Sequence, residues 1–176
     1  GNLDVHGVFA SAELSLGEKW SLVPGFRVES FSQKVEYDVI NIRPDDPGFR
    51  NVYENIYLPS LNVRYALNDD SNLRFAFSKT ASFPEFKEAA PFVYESVTQR
   101  IGGNPDLLGG LNGTGPTYSD VYNYDLKYEW FLEQGEIISL AAFTKTIKNP
   151  VNRVVAADAT GTQRYFRTGE QADIYG

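Results

Sequence analysis

The lengths of the connections between predicted strands constrain this chain more than any other feature of its sequence. Segments in which apolar and polar side chains alternate, as on a strand with two different faces, recur along the chain. They lie at about residues 6–16, 20–31, 56–67, 73–80, 119–131 and 137–147, and a further strand begins in the tail GEQADIYG. The connections alternate between tight turns, at about residues 17–19, 68–72 and 133–136, and long segments, at about residues 33–55, 81–117 and 148–164.

This alternation separates two classes of all-β architecture. In a Greek-key sandwich the connections vary with topology, so nothing makes every second one long. A membrane-spanning barrel gathers tight turns at one rim and long loops at the other. The predicted strands, about 11 to 13 residues long, also exceed the roughly five or six residues of soluble sheets and suit tilted spanning strands. The pattern therefore favours part of a membrane-spanning barrel.

The stretch WSLVPGFRVE, residues 20–29, shows how such a strand divides its side chains between two faces. One face carries the apolar set, Trp20, Leu22, Pro24, Phe26 and Val28. We expect this face to meet lipid and the opposite face to meet a watery lumen. Trp20 and Trp130 both lie beside tight turns, where indole rings form an aromatic girdle at the membrane interface. The strand near residues 137–147 is apolar on both faces, so its orientation stays open.

Composition excludes several other classes of protein. The formal net charge of -7 argues against a nucleic-acid partner, because phosphate binding needs clustered Lys and Arg. No apolar run approaches the roughly 20 residues that a spanning helix needs. The chain contains no cysteine, which rules out a disulfide framework, a thiolate metal site and a cysteine nucleophile.

The residues give little support to an enzyme. The single histidine, His6, has no Ser and Asp arrangement around it, so a catalytic triad or a histidine metal site is not expected. The pairs Asp45–Asp46 and Asp69–Asp70 lie in predicted turns, where Asp commonly bonds its own backbone. The glycine-rich stretch GGNPDLLGGLNGTG lacks the Gly-Lys-Ser/Thr ending of a phosphate loop. We therefore predict no catalytic residues, no cofactor and no metal.

Four segments carry a resemblance to a known family. They are LPSLNVRYALNDDSNLRFAFSKTASFPEFKEAAPF (residues 58–92), GGNPDL (102–107), NYDLKYEWF (123–131) and ISLAAFTKTIKNPV (138–151). In their order and spacing, these segments resemble the β-barrel part of TonB-dependent outer-membrane receptors. The resemblance implies an all-β, antiparallel up-and-down meander that is part of a large transmembrane β-barrel, with tight periplasmic turns and long outer loops. It also implies that residues 1–176 are a partial barrel of about six to seven strands, without the family's plug and C-terminal strands.

The same resemblance implies a function in the bacterial outer membrane. Receptors of this family import a scarce solute, such as a ferric siderophore, a corrinoid or an oligosaccharide, with energy passed through TonB, and break no bond in it. The expected partners are outer-membrane lipid, the imported solute, and the TonB complex acting through the absent plug.

Candidate site residues follow from position on the predicted strands and loops. The lumen-facing set is Arg27, Glu29, Arg64, Arg74, Asp125, Lys127 and Glu129. It is either a charged wall that contacts the plug or a solvated sheet face with cross-strand pairs. The set expected to bind solute in the outer loops is Tyr37, Arg43, Arg50, Tyr53, Tyr94, Arg100 and Tyr118, although ordinary loop composition also explains these residues.

Two alternatives to a transporter remain open on the sequence. One is a non-transporting outer-membrane barrel, such as an adhesin or a passive pore, which would lack a plug and a TonB-contacting segment. The other is a soluble all-β ligand-binding module, whose apolar faces would meet in a core and which would need no detergent.

Overall fold

Antiparallel strands dominate the structure. This computed structural model describes residues 1–38, 46–95, 100–110, 112–158 and 161–176. The strands are β1 Asn2–Ser11, β2 Leu14–Leu16, β3 Trp20–Glu36, β4 Phe49–Asn68, β5 Ser71–Ser82, β6 Val93–Glu95, β7 Arg100–Gly102, β8 Ser119–Phe131, β9 Ile137–Lys148, β10 Val151–Asp158, β11 Gly161–Thr168 and β12 Gln171–Tyr175. A short helix, α1 Phe86–Ala89, and 3-10 turns at Pro105–Leu107 and Glu133–Gly135 complete the described elements. None of the described helices is long and apolar enough to cross a membrane.

The main sheet is an antiparallel meander in the order β1, β3, β4, β5, β8, β9, β12, with β2 also paired to β3. Tight connections join β2 to β3, β4 to β5 and β8 to β9, and long ones alternate with them. The meander and the alternation of connections confirm the predicted fold. One end of the sheet therefore carries the tight turns, and the other, here called the loop end, carries the long segments.

β1 and β2 are two parts of one strand. Both pair with β3 in a single register, and the gap between them lies at Ala12 and Glu13. The Ala12 N–H donates to the carbonyl oxygen of Pro24 at 3.1 Å. Proline has no N–H to donate in return, so the ladder is interrupted here without any change of register. With β1 and β2 counted together, the main sheet has seven strands.

Cross-strand pairing divides the sheet into an apolar face and a polar face, because directly opposed residues share a face. The apolar face carries Trp20, Phe26, Tyr57, Tyr65, Leu73, Phe75, Tyr124, Leu126, Tyr128 and Trp130. The polar face carries Arg27, Glu29, Ile56, Arg64, Arg74, Asp125, Lys127 and Glu129. Aromatic rings pack beside each other on the apolar face, with the Trp20 and Tyr65 ring centroids 4.5 Å apart.

Pairing with β8 also orients β9, which the sequence left open. Leu126 lies opposite Ala142, and Lys127 lies opposite Ala141. Ala142 is therefore on the apolar face and Ala141 on the polar face. Of the neighbouring β9 residues, the apolar face takes Leu140, Thr144, Thr146 and Lys148, and the polar face takes Ser139, Phe143, Lys145 and Ile147.

The predicted loops were too long. Residues 33–36 belong to β3 and residues 49–55 to β4, so the first long connection is only residues 37–48. β3 and β4 continue beyond the residues in which apolar and polar side chains alternate, because protein covers their polar face there. Within these extensions, Gln33 is 1 % exposed, Val35 is 4 % exposed and Val52 is 5 % exposed. The other two long connections also contain structure, with α1, β6 and β7 in one and β10 and β11 in the other.

The core of the chain lies where the described residues between 83 and 118, here called the folded loop segment, pack on the polar face of β3 and β4. Phe31 stacks on Phe83, with ring centroids 3.7 Å apart. The cluster joins residues of both strands to α1 and the turn after it: Phe31, Val35, Tyr37, Val52, Ile56, Ala89, Ala90 and Leu108. The long loop thus folds back over the polar face instead of extending away from the sheet.

A second, four-stranded sheet forms at the loop end in the order β10, β11, β7, β6. β10 and β11 make a hairpin, and β11 runs parallel to β7, with Arg164 opposite Ile101. The Asn104 side chain fastens this sheet to the folded loop segment by donating to the Phe166 carbonyl oxygen at 3.0 Å. Two long connections therefore form one body at the loop end.

Candidate functional site

A cavity of about 350 Å³ lies at the loop end of the polar face. It is bounded by the folded loop segment on one side and by β8 and β9 on the other. Its lining includes Phe83, Glu85, Glu88, Val121, Lys145 and Ile147. Its wall combines apolar side chains with charged groups, and a volume above roughly 300 Å³ is within the range of ligand pockets.

The two carboxylates of the cavity are held by the first turn of α1. The Glu85 backbone N–H donates to the Glu88 carboxylate at 3.0 Å, and the two residues form a capping box. A Glu85 carboxylate oxygen also lies 2.7 Å from the Lys87 ammonium nitrogen. Lys145 enters from the polar face of β9, where it is paired with Asn123 across the strands. The cavity thus offers groups of both charges to a ligand.

The structure places all seven predicted lumen residues on the polar face. Three of them, Arg64, Arg74 and Lys127, lie directly opposite one another on β4, β5 and β8, and we call them the cation row. Glu129 lies 2.6 Å from Arg74 Nε and 2.8 Å from Lys127 Nζ. Directly opposed like charges are unfavourable, so the single shared carboxylate of Glu129 offsets part of this repulsion.

Nearer the loop end, Arg27 and Glu29 form a separate ion pair of 2.5 Å. The Arg27 side chain lies over Gly7 of β1, where a Cβ atom would stand 2.6 Å from Nη2. Gly7 therefore leaves the room that this guanidinium occupies. Asp125, the seventh residue of the set, is exposed on β8 opposite Ala76.

The predicted loop residues do not form one surface, and two of them are buried together. The Tyr37 hydroxyl donates to Asp46 Oδ1 at 2.7 Å, and Arg50 Nη2 lies 2.8 Å from Asp46 Oδ2. Arg50 also lies 3.6 Å from Asp106 of the folded loop segment. Only 6 % of the Arg50 side chain and 3 % of the Asp46 side chain are exposed. We call Tyr37, Asp46, Arg50 and Asp106 the loop lock.

Burial and charge shift the pKa values of two side chains in the loop lock. Hydrogen bonds from Arg50 hold the pKa of the Asp46 carboxyl well below its usual range, and burial opposes this shift only in part. Burial, together with the bond to Asp46, raises the pKa of Tyr37 to about 12. Sequence reasoning found Tyr37 and Arg50, but treated Asp46 only as a turn residue and missed Asp106.

The remaining predicted loop residues lie elsewhere. Tyr53 is in β4 and not in a loop. It lies on the apolar face, as Tyr57 of the same strand does, and is 65 % exposed. Tyr94 and Arg100 are in β6 and β7 of the second sheet, where Arg100 pairs with Glu95 at 2.9 Å. Tyr118 packs against Phe83, with ring centroids 5.9 Å apart. Arg43, like Asp45, lies outside the described residues.

The described part of the chain holds no group of three or more His, Cys, Asp or Glu side chains that could bind a metal ion.

Comparison with known proteins gives the class. A family model described as "TonB dependent receptor-like, beta-barrel" matches residues 1–176. The chain belongs to this family, whose members are β-barrel proteins of the bacterial outer membrane. The loop end is accordingly the outer end of the sheet, and the tight turns are periplasmic. No curated protein sequence matches the chain significantly.

Solved structures agree with this fold. The chain superimposes on the copper transporter OprC with a TM-score of 0.73 at 13% identity, covering 99% of this chain and 25% of OprC. A double mutant of the Serratia marcescens hemophore receptor HasR, in complex with its hemophore HasA and heme, gives 0.71 at 11% identity, covering 99% and 31%. The Pseudomonas aeruginosa ferric enterobactin receptor PfeA, in complex with enterobactin, gives 0.57 at 14% identity, covering 98% and 32%. The chain thus spans a quarter to a third of these structures.

Proposed function

We propose that this chain is part of an active transporter that binds a scarce solute outside the outer membrane and imports it with energy delivered through TonB. The solute class is a ferric siderophore, a corrinoid or an oligosaccharide. Family membership supports the proposal. So do fold neighbours described as a copper transporter, a hemophore receptor and a ferric enterobactin receptor. Such a protein binds and releases its solute unchanged and is not an enzyme.

The observation that carries the proposal is the way the folded loop segment packs on the polar face at its outer end. This packing builds the cavity from α1, β8 and β9, at the point where a solute would enter the lumen. A passive pore needs an open lumen, and an adhesin needs loops directed outwards. A loop that turns inwards and encloses a pocket of mixed polarity suits capture of a solute before transport.

The cavity lining suggests how a solute would be held. Phe83, Val121 and Ile147 offer an apolar wall, while the Glu88 carboxylate and the Lys145 ammonium offer charge. These charged groups come from α1 and β9, so a bound solute would connect the loop to the barrel wall. Movement of α1 would then weaken the binding of the solute from the outer side of the cavity.

The cation row supports a contact with a plug. The cation row carries three basic side chains, of which Arg74 and Lys127 pair with Glu129, so an acidic group of a plug would be attracted here. A plug held at this level, below the cavity, would close the lumen until TonB moves it. The apolar face is proposed to contact outer-membrane lipid.

A soluble binding module fits the structure less well. Its apolar face would have to be covered, yet Phe26 is 49 %, Leu126 47 % and Leu140 75 % exposed. The described core lies instead on the polar face, under the folded loop segment. A membrane therefore remains the suitable environment for the apolar face.

The experiment that tests the proposal is uptake by cells that express the receptor carrying this chain. Three labelled probes represent the classes: a ferric catecholate siderophore, cyanocobalamin and a maltooligosaccharide. We expect one of them to accumulate in cells with TonB and not in cells lacking it. Val121→Trp, which fills the cavity, should reduce this uptake, and Leu126→Trp on the apolar face should not.

Other outcomes identify the alternatives. Accumulation that is equal with and without TonB would show a passive pore. Surface binding of all three probes without accumulation would show a receptor or adhesin that does not transport them. Equal uptake by the Val121→Trp variant and the wild type would place recognition outside this cavity.

A further inference from the structure

Two opposite charges line the cavity from opposite walls and do not meet. Glu88 belongs to α1 and Lys145 to β9, and both side chains are half-buried in the cavity lining. Within the part of the chain that the structure describes, neither side chain forms an ion pair with the other or with a third group. A cavity that keeps a carboxylate and an ammonium apart leaves both charges to be balanced by a ligand.

The second carboxylate of the cavity, Glu85, is already balanced. It lies 2.7 Å from the Lys87 ammonium nitrogen and accepts the Glu88 backbone N–H in the capping box. The Glu88 carboxylate, in contrast, accepts the Glu85 backbone N–H at 3.0 Å, which is a neutral donor. The capping box also holds the Glu88 side chain against the first turn of α1. Glu88 therefore keeps its charge on its own wall of the cavity.

The strands beside β9 do not balance Lys145 either. Lys145 lies opposite Asn123 on β8 and opposite Ile174 on β12, and both of these residues are uncharged. The next carboxylate on the polar face of β8 is Asp125, which lies opposite Phe143, one row towards the periplasm. Lys145 therefore presents its ammonium group to the cavity.

The size and the charges of the cavity define what it can hold. Its volume of about 350 Å³ is near the lower end of the range of ligand pockets, so it suits one end group of a large solute. Phe83 and Val121 add an apolar wall. An end group with an ammonium, a carboxylate and a short apolar side chain matches these features, and a peptide end has this composition. A ferric catecholate carries only negative charge, and a sugar would leave both charges of the cavity unpaired.

We propose that the cavity is a subsite for a zwitterionic, peptide-like end group of the imported solute. This inference rests on the proposed function and narrows its solute to a ferric siderophore with such an end group. The ammonium of the solute lies against Glu88, and its carboxylate lies against Lys145. Hydrogen bonds between charged groups are stronger than those between neutral ones. Glu88 and Lys145 are therefore specificity-determining residues, because each favours a solute that carries the opposite charge.

The test is the binding of four small peptides to the purified receptor that carries this chain. They are dialanine, N-acetyl-dialanine, dialanine amide and the peptide blocked at both ends, so each charge is removed separately. Equilibrium dialysis with radiolabelled peptides at millimolar concentrations gives their relative affinities. We expect dialanine to bind best. Blocking either end should weaken binding about tenfold, because one hydrogen bond between charged groups is lost.

Variants assign each charge of the peptide to one residue. Glu88→Gln retains an oxygen that accepts the Glu85 N–H, so α1 stays capped. It should weaken dialanine binding about tenfold and abolish the preference for a free amine, but not the preference for a free carboxylate. Lys145→Gln should have the reverse effect on the two preferences. The matched controls are Lys148→Gln, on the apolar face of the same strand, and Glu133→Gln, in a tight turn, and both should bind dialanine as the wild type does.

Heat-modifiable mobility on gels confirms that each variant is a folded barrel. Equal affinity for the four peptides, or no measurable binding of dialanine, would overturn the proposal. So would a loss of affinity for all four peptides alike in the Glu88→Gln and Lys145→Gln variants. The uptake assay keeps the two proposals distinct. TonB-dependent uptake with equal affinity for the four peptides would refute the subsite alone, and preferential dialanine binding with TonB-independent accumulation would refute active transport alone.

Discussion

At the scale of single residues, one carboxylate organises the outer end of β3 and β4. Asp46 accepts hydrogen bonds from the Tyr37 hydroxyl, from the Gly48 backbone N–H at 3.0 Å, and from both terminal nitrogens of Arg50. The guanidinium is buried, so its charge depends on this one partner and on the more distant Asp106. A buried charge that loses its partner is strongly destabilising.

Asp46→Asn should therefore destabilise the receptor by about 3 kcal/mol, because it leaves Arg50 buried and unpaired. The measurement is urea unfolding of the receptor followed by tyrosine and tryptophan fluorescence. Asp69→Asn, in the exposed turn between β4 and β5, is the matched control and should change the unfolding free energy by less than about 0.5 kcal/mol. Equal effects of the two variants would mean that the loop lock contributes no stability.

The loop lock should also make stability depend on pH at both extremes. The pKa of Asp46 is lowered in the folded state, so its contribution is complete above the ordinary value of 3.8 and is lost as pH falls below it. The pKa of Tyr37 is raised from 10.0 to about 12, so its contribution is complete below pH 10.0 and is lost between these values. Thermal melts across pH should decline in both windows. Asp46→Asn should flatten the acid decline and Tyr37→Phe the alkaline one; unchanged declines would contradict this account.

At the scale of elements, the folded loop segment depends on a close contact between two backbones. At Gly103, a Cβ atom would stand 1.8 Å from the Ala90 carbonyl oxygen and 2.8 Å from that of Lys87. The next residue continues the contact, because the Asn104 N–H donates to the Glu88 carbonyl oxygen at 2.6 Å. Only glycine lets the chain pass α1 at this distance.

Gly103→Ala should displace the folded loop segment from α1 and open the cavity. The expected results are faster proteolysis of the outer loops and weaker solute binding, with the barrel still folded by gel mobility. Gly102→Ala is the adjacent control, since its nearest neighbour would be the Arg164 carbonyl oxygen at 3.8 Å, an ordinary contact. If both variants are cut at the wild-type rate, the close contact is not what holds the segment.

The same elements show where sequence reasoning succeeds. On β8, Tyr124 and Leu126 alternate with Asp125 and Lys127, so the strand and its two faces could be predicted from residue type alone. The alternation persists because one face is apolar throughout and the other is polar.

The prediction of strand bounds and faces failed where the two faces of a strand no longer differ in polarity. Residues 33–36 and 49–55 have protein over their polar face, so Val35 and Val52 are buried there and no simple period remains. On β9 both faces are apolar, and only pairing with β8 decides between Ala141 and Ala142. The cavity brings together α1 and β9, which are far apart in sequence, and no local sequence pattern predicts such a contact.

At the scale of the whole molecule, the two faces of the sheet suit different environments, one polar and one apolar. The polar face holds the core, the cation row and the cavity. The apolar face holds the aromatic rows. A single antiparallel sheet can serve both environments because adjacent residues of a strand face opposite sides.

Two adjacent alanines test this division directly. Ala142→Arg puts a charge on the apolar face at the level of Leu126, midway between Tyr122 and Trp130, and should cost about 2 to 4 kcal/mol in a bilayer. Ala141→Arg introduces the same side chain one residue earlier on the polar face, where water solvates it, and opposition to Lys127 should cost less than about 1 kcal/mol. The measurement is reversible urea unfolding of the receptor in lipid vesicles, followed by gel mobility. Equal costs would mean that both faces meet the same medium, and a greater cost for Ala141→Arg would mean that the polar face, not the apolar face, is shielded from water at this level.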